Sequence, residues 1–422
     1  MYFLYNLITV AAAAALQILA LFSPKMKLFV NGRKDVFRRL EDAIGKNDQV
    51  IWFHAASLGE YEQGLPVMEE IRARFPHHKL ILTFFSPSGY EVRKNNKVAH
   101  LTLYLPLDTA AHARRFIKAL RPQMAFFIKY EYWPNYLREL ELRRVPTFLI
   151  SGIFRGDQAF FKWYGGFYRR ALGAFTHFFV QNDSSRGLLE RIGNKNVTVS
   201  GDTRFDRVAD ILARDNNLEF IDDFKGASLL VVAGSTWPKD EEILVPVIRE
   251  DLSDTRYVIA PHNIKPDQIR FLKDAFPDEV ILYSEMQGKL LSNFRIFIID
   301  TIGILTKIYS YADIAYVGGG FGNPGVHNVL EPAAFGIPVV VGPNYSHFAE
   351  ASALVRLGGC IPVNNAGSLA KALGELAADS RYRAEKGSIC GTFVAMNTKA
   401  VDAIMKHLEQ RGDIPHSNTN LI

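Results

Sequence analysis

The sequence predicts an α/β protein with two doubly wound, Rossmann-like domains that follow an apolar N-terminal helix. The first observation is that short apolar runs alternate with amphipathic stretches along most of the chain. Buried strands that alternate with helices indicate parallel sheets covered on both faces. The second is the length of 422 residues, which is too long for one ordinary core. The third is the composition, 48% hydrophobic and 22% charged, which is typical of a folded protein.

The composition also excludes several classes of protein. The formal net charge of +5 is small and argues against a nucleic-acid partner. Cys360 and Cys390 are the only two cysteines, which excludes a disulfide scaffold and a cysteine-rich zinc site and suits a reducing compartment. The sequence has no HExxH motif and no DxD motif of the sort that holds a metal–nucleotide, so we expect no metal.

The first element is a candidate membrane anchor over residues 2–22, YFLYNLITVAAAAALQILALF, which carries no charged residue. A helix of this length just spans a hydrocarbon core of about 30 Å. Basic residues follow the apolar run instead of preceding it, and they are Lys25, Lys27, Arg33, Lys34, Arg38 and Arg39. The positive-inside rule then predicts a single crossing, with the N-terminus outside and the rest of the chain in the cytoplasm. A buried first helix is the alternative.

The next elements form two series of predicted strands. The first series lies at 50–55, 79–85, 125–128, 147–151 and 177–181, with a helix over 59–75. The second series lies at 229–233, 257–260, 297–300, 314–317 and 339–341. A polar, acidic stretch over 206–226 divides them. We therefore predict an anchor over 1–22, an N-terminal domain over 23–220, a C-terminal domain over 221–410 across a cleft, and a loose tail over 411–422.

The segment HAASLGE (54–60) follows the first predicted strand and opens a helix, where ligands bind in open α/β sheets. Ser57 and Glu60 also have the spacing of a capping box, which is a purely structural role. The helix N-terminus lowers the pKa of a carboxyl group, so a general base at Glu60 needs burial to recover basicity. Gly59 permits close approach by a substrate, which favours a functional interpretation.

A glycine-rich turn follows the predicted strand 314–317, and a helix is predicted to start near Gly325. Backbone amides and a helix N-terminus would suit a phosphate there. The spacing of His327 and Glu331 places both on one face of that helix, where the carboxylate could hold ribose hydroxyls. Gly320, Gly322 and Gly325 form a formal GxGxxG, but no acidic residue lies about 20 positions on, so the dinucleotide interpretation is weak. A tight turn without a ligand is the alternative.

Two further strand ends belong to the predicted C-terminal domain. Ser235 and Thr236 follow one strand, and Pro261 and His262 follow the next. With the glycine-rich turn, these strand ends predict a nucleotide pocket in that domain.

The segment 154–175, FRGDQAFFKWYGGFYRRALGAF, combines basic and aromatic residues. Arg155, Lys162, Arg169 and Arg170 stand among eight aromatics, with Asp157 the single acid. This pattern suits a membrane interface or an acidic amphiphile. Packing of the aromatics in the core is the alternative.

Several motifs together resemble those of the bacterial Kdo transferases, which move 3-deoxy-D-manno-octulosonic acid (Kdo) from CMP-Kdo to the lipid A precursor. They are HAASLGE (54–60), KYEYWPN (129–135), SGDTRFD (200–206), GSTW (234–237) and HNVLEPAAFGIPVVVGP (327–343). The resemblance covers nearly the whole chain. It implies a GT-B glycosyltransferase fold, with an acceptor domain first and a CMP-binding domain second. It also implies a metal-independent, inverting reaction at the inner membrane in lipopolysaccharide biosynthesis, with no cofactor besides the donor substrate CMP-Kdo.

The resemblance assigns roles to individual positions. Glu60 falls on the catalytic base, and Glu131 and Arg204 fall on positions that support the transition state. We expect acceptor contacts at Ser57, Gly59 and Arg155. The expected CMP site consists of Ser235, Thr236, Pro261, His262, Ile302, Gly303, Ile304, Gly319, Gly320, His327, Asn328, Val329, Leu330 and Glu331.

The sequence departs from the family pattern at several of these positions. Lys129 stands where the family usually has a glutamate, and His262-Asn263 replaces an Arg-His pair. Val326 replaces a glycine, and Ile304 replaces a glutamate.

Two other functions are compatible with parts of the sequence. One is an NAD- or nucleotide-sugar-dependent oxidoreductase or epimerase built around Gly320, Gly322 and Gly325. The other is a non-catalytic, membrane-anchored glycolipid binder that uses residues 154–175. Consumption of CMP-Kdo distinguishes the transferase from both.

Overall fold

The computed structural model describes residues 1–413, which form two compact units. Of the described residues, unit 1 contains 1–207 and 398–413, and unit 2 contains 208–397. Residues 414–422, most of the predicted tail, lie outside the described residues.

Each unit is built on a parallel sheet. The strands of unit 1 are β1 Val50–Ala55, β2 Lys79–Phe84, β3 Leu101–Tyr104, β4 Pro122–Ile128, β5 Thr147–Gly152, β6 His177–Val180 and β7 Val197–Val199. The strands of unit 2 are β8 Leu230–Thr236, β9 Arg256–Pro261, β10 Val280–Leu282, β11 Ile296–Ile298, β12 Ile314–Val317, β13 Val339–Val341 and β14 Cys360–Pro362.

The helices connect these strands. The first ten are α1 Tyr2–Leu19, α2 Pro24–Asn31, α3 Val36–Ala43, α4 Leu58–Arg74, α5 Pro87–Arg93, α6 Ala110–Leu120, α7 Pro134–Leu142, α8 Gly166–Leu172, α9 Asp183–Arg191 and α10 Arg204–Leu212. The others are α11 Glu219–Lys225, α12 Pro238–Glu250, α13 Pro266–Ala275, α14 Leu305–Tyr309, α15 Leu330–Ala334, α16 Ala349–Leu357, α17 Ala366–Ala378, α18 Ser380–Asn397 and α19 Ala400–Arg411.

The sheet of unit 1 has the order β3-β2-β1-β4-β5-β6-β7. Its interior strand β1 is buried at all six positions, as expected for a strand covered on both faces. The strand order reverses beside β1, between β1 and β4. Ligands of open α/β sheets bind at the carboxyl ends of such strands, so the residues that follow β1 and β4 are placed for function.

The sheet of unit 2 has the order β10-β11-β9-β8-β12-β13-β14. Here the order reverses between β8 and β12, which pair in parallel from Ile314 to Val317. The glycine-rich turn follows β12 directly. The predicted α/β class with two doubly wound sheets is therefore confirmed.

The division of the chain differs from the predicted boundaries of 23–220 and 221–410. Unit 2 already begins at residue 208, and α19 belongs to unit 1. The physical reason is the apolar face of α19, whose Ile404, Met405 and Leu408 are buried in the core of unit 1. Arg74 of α4 also pairs with Glu409. The last helix thus returns to the first unit.

The N-terminal helix α1 is long and apolar enough to cross a membrane by length and composition. It begins at Tyr2 and ends at Leu19, three residues before the end of the predicted span. The basic residues that follow it are not all at the surface, because the Arg33 guanidinium donates to the backbone carbonyls of Phe29, Phe85 and Leu105. Burial lowers the pKa of Arg33 to about 10.

Candidate active site

The carboxylate of Glu60 lies in the first turn of α4, just after β1. Its Oε2 atom accepts hydrogen bonds from the backbone N–H groups of Ala56, at 2.5 Å, and Ser57, at 2.9 Å. The capping interaction predicted from the sequence is therefore present on the Glu60 side. It fixes the carboxylate at the carboxyl end of the sheet.

The electrostatic surroundings of Glu60 overcome the effect of the helix N-terminus. Burial raises the pKa of Glu60 to about 7, and the negative charge of Glu131 adds to the rise. The two backbone N–H groups and the Lys129 ammonium act in the opposite direction. A carboxyl group with a pKa near 7 can act as a general base at neutral pH.

Glu131 follows β4 and is held in a buried network. The Nε2 atom of His54 lies 3.0 Å from Oε2 of Glu131, and the indole N–H of Trp133 donates to the same oxygen at 2.6 Å. On its other side, Nδ1 of His54 lies 2.8 Å from Oγ1 of Thr83. Sequence analysis singled out the HAASLGE motif but assigned no role to His54. The structure brings this histidine together with Glu131 because β1 and β4 are neighbours.

Arg204 lies at the start of α10 and binds Asp202. Its Nε and Nη2 atoms are 2.9 and 2.7 Å from Oδ2 of Asp202. Burial acts to raise the pKa of Asp202, but the Arg204 charge and hydrogen bonds outweigh it and hold that pKa below its ordinary value. The charges of Glu60 and Arg204 both act on the pKa of Tyr130. Glu60 and Arg204, two of the three predicted catalytic residues, therefore lie in the same region of unit 1.

The predicted acceptor contacts lie around the same strand end. Ser57 precedes α4, and Nη2 of the exposed Arg155 is 3.3 Å from the hydroxyl of Tyr130. A Cβ atom added at Gly59 would meet no other atom within 4 Å. Packing in unit 1 therefore does not require glycine at position 59, and open space lies beside Glu60.

In unit 2, the glycines after β12 have a packing explanation. A Cβ atom would collide with the backbone of Ser235 if added at Gly318, of Gly325 if added at Gly319, and of Gly342 if added at Gly320. The turn thus lies directly against the ends of β8 and β13. This contact fixes its shape, whether or not a phosphate binds there.

The helix predicted to start near Gly325 begins five residues later, and the prediction for His327 and Glu331 was wrong. Helix α15 spans only Leu330–Ala334, and His327 lies in the preceding loop. The two side chains therefore do not share a helical face. A five-residue helix also gives little support to the predicted phosphate site at its N-terminus. Positive φ angles at Gly319 and Gly325 turn the chain here and delay the helix.

The Glu331 carboxylate, in α15, instead binds α14 and the loop that precedes α15. It accepts hydrogen bonds from Nδ2 of Asn328, at 2.9 Å, and from the hydroxyl of Thr306, at 2.8 Å. Thr306 follows the predicted CMP-binding turn Ile302-Gly303-Ile304, in which Gly303 has a φ of 100° and Ile302 is 87% exposed.

The side chains of Val329 and Leu330 are fully buried. A ligand contact at either position therefore has to use the backbone.

The aromatic rings of Trp237, His262 and His327 stack on one another beside the glycine-rich turn. The His262 ring lies 4.3 Å from His327 and 5.0 Å from Trp237, with interplanar angles of 23° and 16°. The Trp237 indole donates to Nε2 of His327 at 2.6 Å. Burial lowers the pKa of His327 to about 4 and also lowers the pKa of His262. Both rings are therefore neutral at pH 7.

The end of β8, which precedes Trp237, is fixed by a buried hydrogen bond. The hydroxyl of Thr236 is buried and donates to Glu241 at 2.7 Å, so its side chain faces the interior. The preceding residue, Ser235, has a φ of 54°, and Pro261 ends β9.

Asp240 is a structural residue that sequence analysis missed. Its fully buried carboxylate accepts from the backbone N–H groups of Trp237, at 2.9 Å, and Gly319, at 2.8 Å, and from the Tyr316 hydroxyl. It thereby ties the end of β8 to the glycine-rich turn. The signal that could have found it is its place in the first turn of α12, after Pro238.

The basic and aromatic segment 154–175 divides between core and surface. Phe154, Phe160 and Phe175 are buried in the core of unit 1, whereas Trp163 is 91% exposed. Trp163 and Arg170 line an open groove of about 790 Å³. Packing in the core therefore accounts for part of the segment, and its role at a membrane interface stays a prediction.

Comparison with known proteins finds a matching family model and several relatives of this chain. Residues 33–207 match the family model described as 3-Deoxy-D-manno-octulosonic-acid transferase (kdotransferase). A 3-deoxy-D-manno-octulosonic acid transferase of Rickettsia bellii is 27% identical over 75% of this chain and 77% of its own length. Its counterpart from Haemophilus influenzae is 26% identical over 86% of this chain and 88% of its own length. The resemblance predicted from the motifs is confirmed.

A solved structure with the same overall fold is the UDP-GlcNAc 2-epimerase of Neisseria meningitidis bound to UDP-GlcNAc. It matches with a TM-score of 0.59 at 14% identity, over 86% of this chain and all of the epimerase chain. At this identity the likeness concerns the fold alone. It supports the GT-B architecture, in agreement with the two seven-stranded parallel sheets.

Proposed function

We propose that this chain, a relative of the Kdo transferases, is a glycosyltransferase that moves Kdo from CMP-Kdo to the lipid A precursor in lipopolysaccharide core biosynthesis. The observation that carries the proposal is the Glu60 carboxylate, whose pKa is raised to about 7 by burial. It stands at the carboxyl end of β1 within the segment that matches the family model. A group of this kind suits removal of a proton from a sugar hydroxyl.

In the proposed reaction the acceptor hydroxyl attacks the anomeric carbon of Kdo. Glu60 takes the hydroxyl proton, the new glycosidic bond forms, and the bond from the anomeric carbon to the phosphate of CMP breaks. CMP leaves with the electron pair of that bond, so the configuration inverts in a single displacement. Glu131 and Arg204 support the charges that develop, and a cation is suited to a phosphate leaving group.

We assign the acceptor to unit 1 and CMP-Kdo to unit 2. The open space beside Gly59 and the exposed guanidinium of Arg155 support the first assignment. The ring stack at His262 and the hydrogen bonds of Glu331 to Thr306 and Asn328 support the second, because a nucleotide needs both a flat surface and polar groups.

We further propose that the reaction needs no metal and no resident cofactor. Within residues 1–413, no group of three or more His, Cys, Asp or Glu side chains is arranged to hold a metal ion. The predicted location is the cytoplasmic face of the inner membrane. The apolar helix α1 and the exposed Trp163 support contact with a membrane.

The test is CMP release from CMP-Kdo by the detergent-purified full chain in the presence of lipid A precursor. Glu60→Gln keeps the shape of the side chain and removes its basicity, so we expect turnover to be lost while donor binding persists. Glu190→Gln changes an exposed carboxyl group of α9 and serves as the matched control. Full activity of Glu60→Gln would refute the assigned base. Lipid binding without donor consumption would favour a non-catalytic glycolipid binder.

A further inference from the structure

Helix α1 lies along the surface of unit 1 over its whole length. Its half-buried positions recur at spacings of three and four residues, as expected for one face of a helix. These positions are Tyr2, Tyr5, Asn6, Thr9, Ala13 and Leu16.

The first two turns of α1 are held by polar contacts. The Tyr5 hydroxyl donates to Oδ2 of Asp108 at 2.7 Å, and Nδ2 of Asn135 donates to Oδ1 of Asn6 at 3.0 Å. The Tyr2 hydroxyl also donates to Asn135. Asp108 and Asn135 are themselves buried, in the loop before α6 and at the start of α7. The beginning of α1 is therefore fixed to the interior of the unit.

The second half of α1 faces the same unit. Ala13, Leu16 and Gln17 line one side of a cavity of about 220 Å³, and Phe37 and Leu107 line the other. Both ends of α1 therefore lie against unit 1. A helix that crosses a bilayer has to place one end about 27 Å away from the other, on the far side. The contacts at the two ends are incompatible with that arrangement.

The opposite face of α1 is apolar and exposed. Its large side chains, with those just after the helix, are Phe3, Leu4, Leu7, Ile8, Val10, Ile18, Leu19, Leu21 and Phe22. Soluble proteins rarely expose a continuous apolar surface of this size. Beyond one end lie the exposed Lys25 and Lys27, and Arg138 and Arg170 line the groove beside the other end. An apolar face with basic residues at its ends suits a surface of anionic phospholipids.

We propose that α1 lies in the plane of the membrane surface, with unit 1 on one side and the headgroups and first acyl carbons of an anionic phospholipid leaflet on the other. This arrangement replaces the single crossing predicted from the sequence. The positive-inside rule assumed that α1 is free to cross, whereas Tyr5 and Asn6 hold its first turns against unit 1. The inference rests on the membrane contact of the proposed function and not on its transfer reaction.

The test measures the depth of α1 in vesicles of phosphatidylcholine and phosphatidylglycerol. Phe3→Cys, Val10→Cys and Ile18→Cys variants of the full chain each carry a spin label on the exposed face. Cys360 and Cys390 are buried, and the unsubstituted chain gives the background from them. Leu252→Cys, at a position 96% exposed in unit 2, is the control for a label in water.

We expect all three labels on α1 at the same shallow depth, about 5–10 Å below the headgroups. A crossing helix would instead separate the labels at Phe3 and Ile18 by about 22 Å along the bilayer normal. Such a gradient would overturn the proposal, and so would three labels that remain in water like the one at Leu252. This experiment measures no sugar transfer. A contrary result therefore refutes only the proposed position of α1, and the CMP-release assay tests the transferase assignment separately.

Discussion

The Nε2 atom of His54 lies 3.0 Å from Oε2 of Glu131, and both side chains are buried in unit 1. Trp133 donates to the same carboxylate oxygen, so Glu131 is held from two sides. Glu131 in turn contributes to the raised pKa of Glu60. His54 contacts neither proposed substrate. It acts on the proposed base Glu60 indirectly, through Glu131, and is therefore a positioning residue.

Replacement of His54 by leucine removes the ring nitrogen that lies beside Glu131 and supplies no other hydrogen-bond donor. The loss of one charge-assisted hydrogen bond corresponds to about 1.5–3 kcal/mol, or a decrease in kcat of about 10- to 100-fold. We expect the KM for CMP-Kdo to stay unchanged, because unit 2 is not altered. Steady-state kinetics checks the prediction, with His77→Leu at the exposed surface as the control. An unchanged kcat would show that His54 only fills the core.

The pH dependence of the reaction follows from the pKa of Glu60. A general base has to be deprotonated, so we expect kcat/KM to rise about tenfold per pH unit below pH 7 and to level off above it. Glu131→Gln removes a negative charge that raises this pKa, and the rising limb should therefore move to lower pH. A pH–rate profile of both forms tests this. A limb that stays in place after the substitution contradicts the electrostatic coupling.

The Gly59→Ala variant tests separately how position 59 affects the stability of the fold and the access of the acceptor to Glu60. The added methyl group meets no atom of unit 1, and alanine is the better helix former, so we expect stability to rise by about 0.5–1 kcal/mol. Activity should fall, because the methyl group occupies the open space beside Glu60. Chemical denaturation and the transfer assay measure the two effects on one variant. A stabilised chain with full activity would remove Gly59 from the acceptor site.

The resemblance to the Kdo transferases implies an arginine at the position that His262 occupies. Burial lowers its pKa below 6.5, so it is neutral at pH 7 and gains charge only in acid. We expect His262→Arg to supply a permanent cation that can stack on Trp237, and to lower the donor KM about tenfold. In the natural chain, donor binding should tighten as the pH falls below 6.5. Titration calorimetry with CMP checks both effects, and equal affinity of the two forms would contradict the assigned contact.

The central strands of both sheets could be predicted from the sequence, and the edge strands could not. Runs such as 50–55 and 314–317 are apolar at every position because both faces of the sheet are covered. The four strands that the sequence did not reveal are the four edges, β3, β7, β10 and β14. β7 has no buried position and β14 has one, so these edges lack the continuous apolar run of a strand that is covered on both faces.

The same limit applies to the candidate site. The HAASLGE and KYEYWPN motifs could be recognised one by one, but the contact of His54 with Glu131 depends on which strands are neighbours. Likewise, the predicted helix at Gly325 followed from local composition. Contacts of the glycine-rich turn with Ser235 and Gly342, which lie far away in sequence, determine its actual course.

The most direct test of the transferase assignment is mass spectrometry of the lipid A precursor after incubation with the purified chain and CMP-Kdo. We predict a gain in mass equal to one or more Kdo residues, which requires CMP-Kdo and disappears in Glu60→Gln. The number of residues added follows from the same spectrum. An unchanged lipid with the donor unconsumed would contradict the assignment.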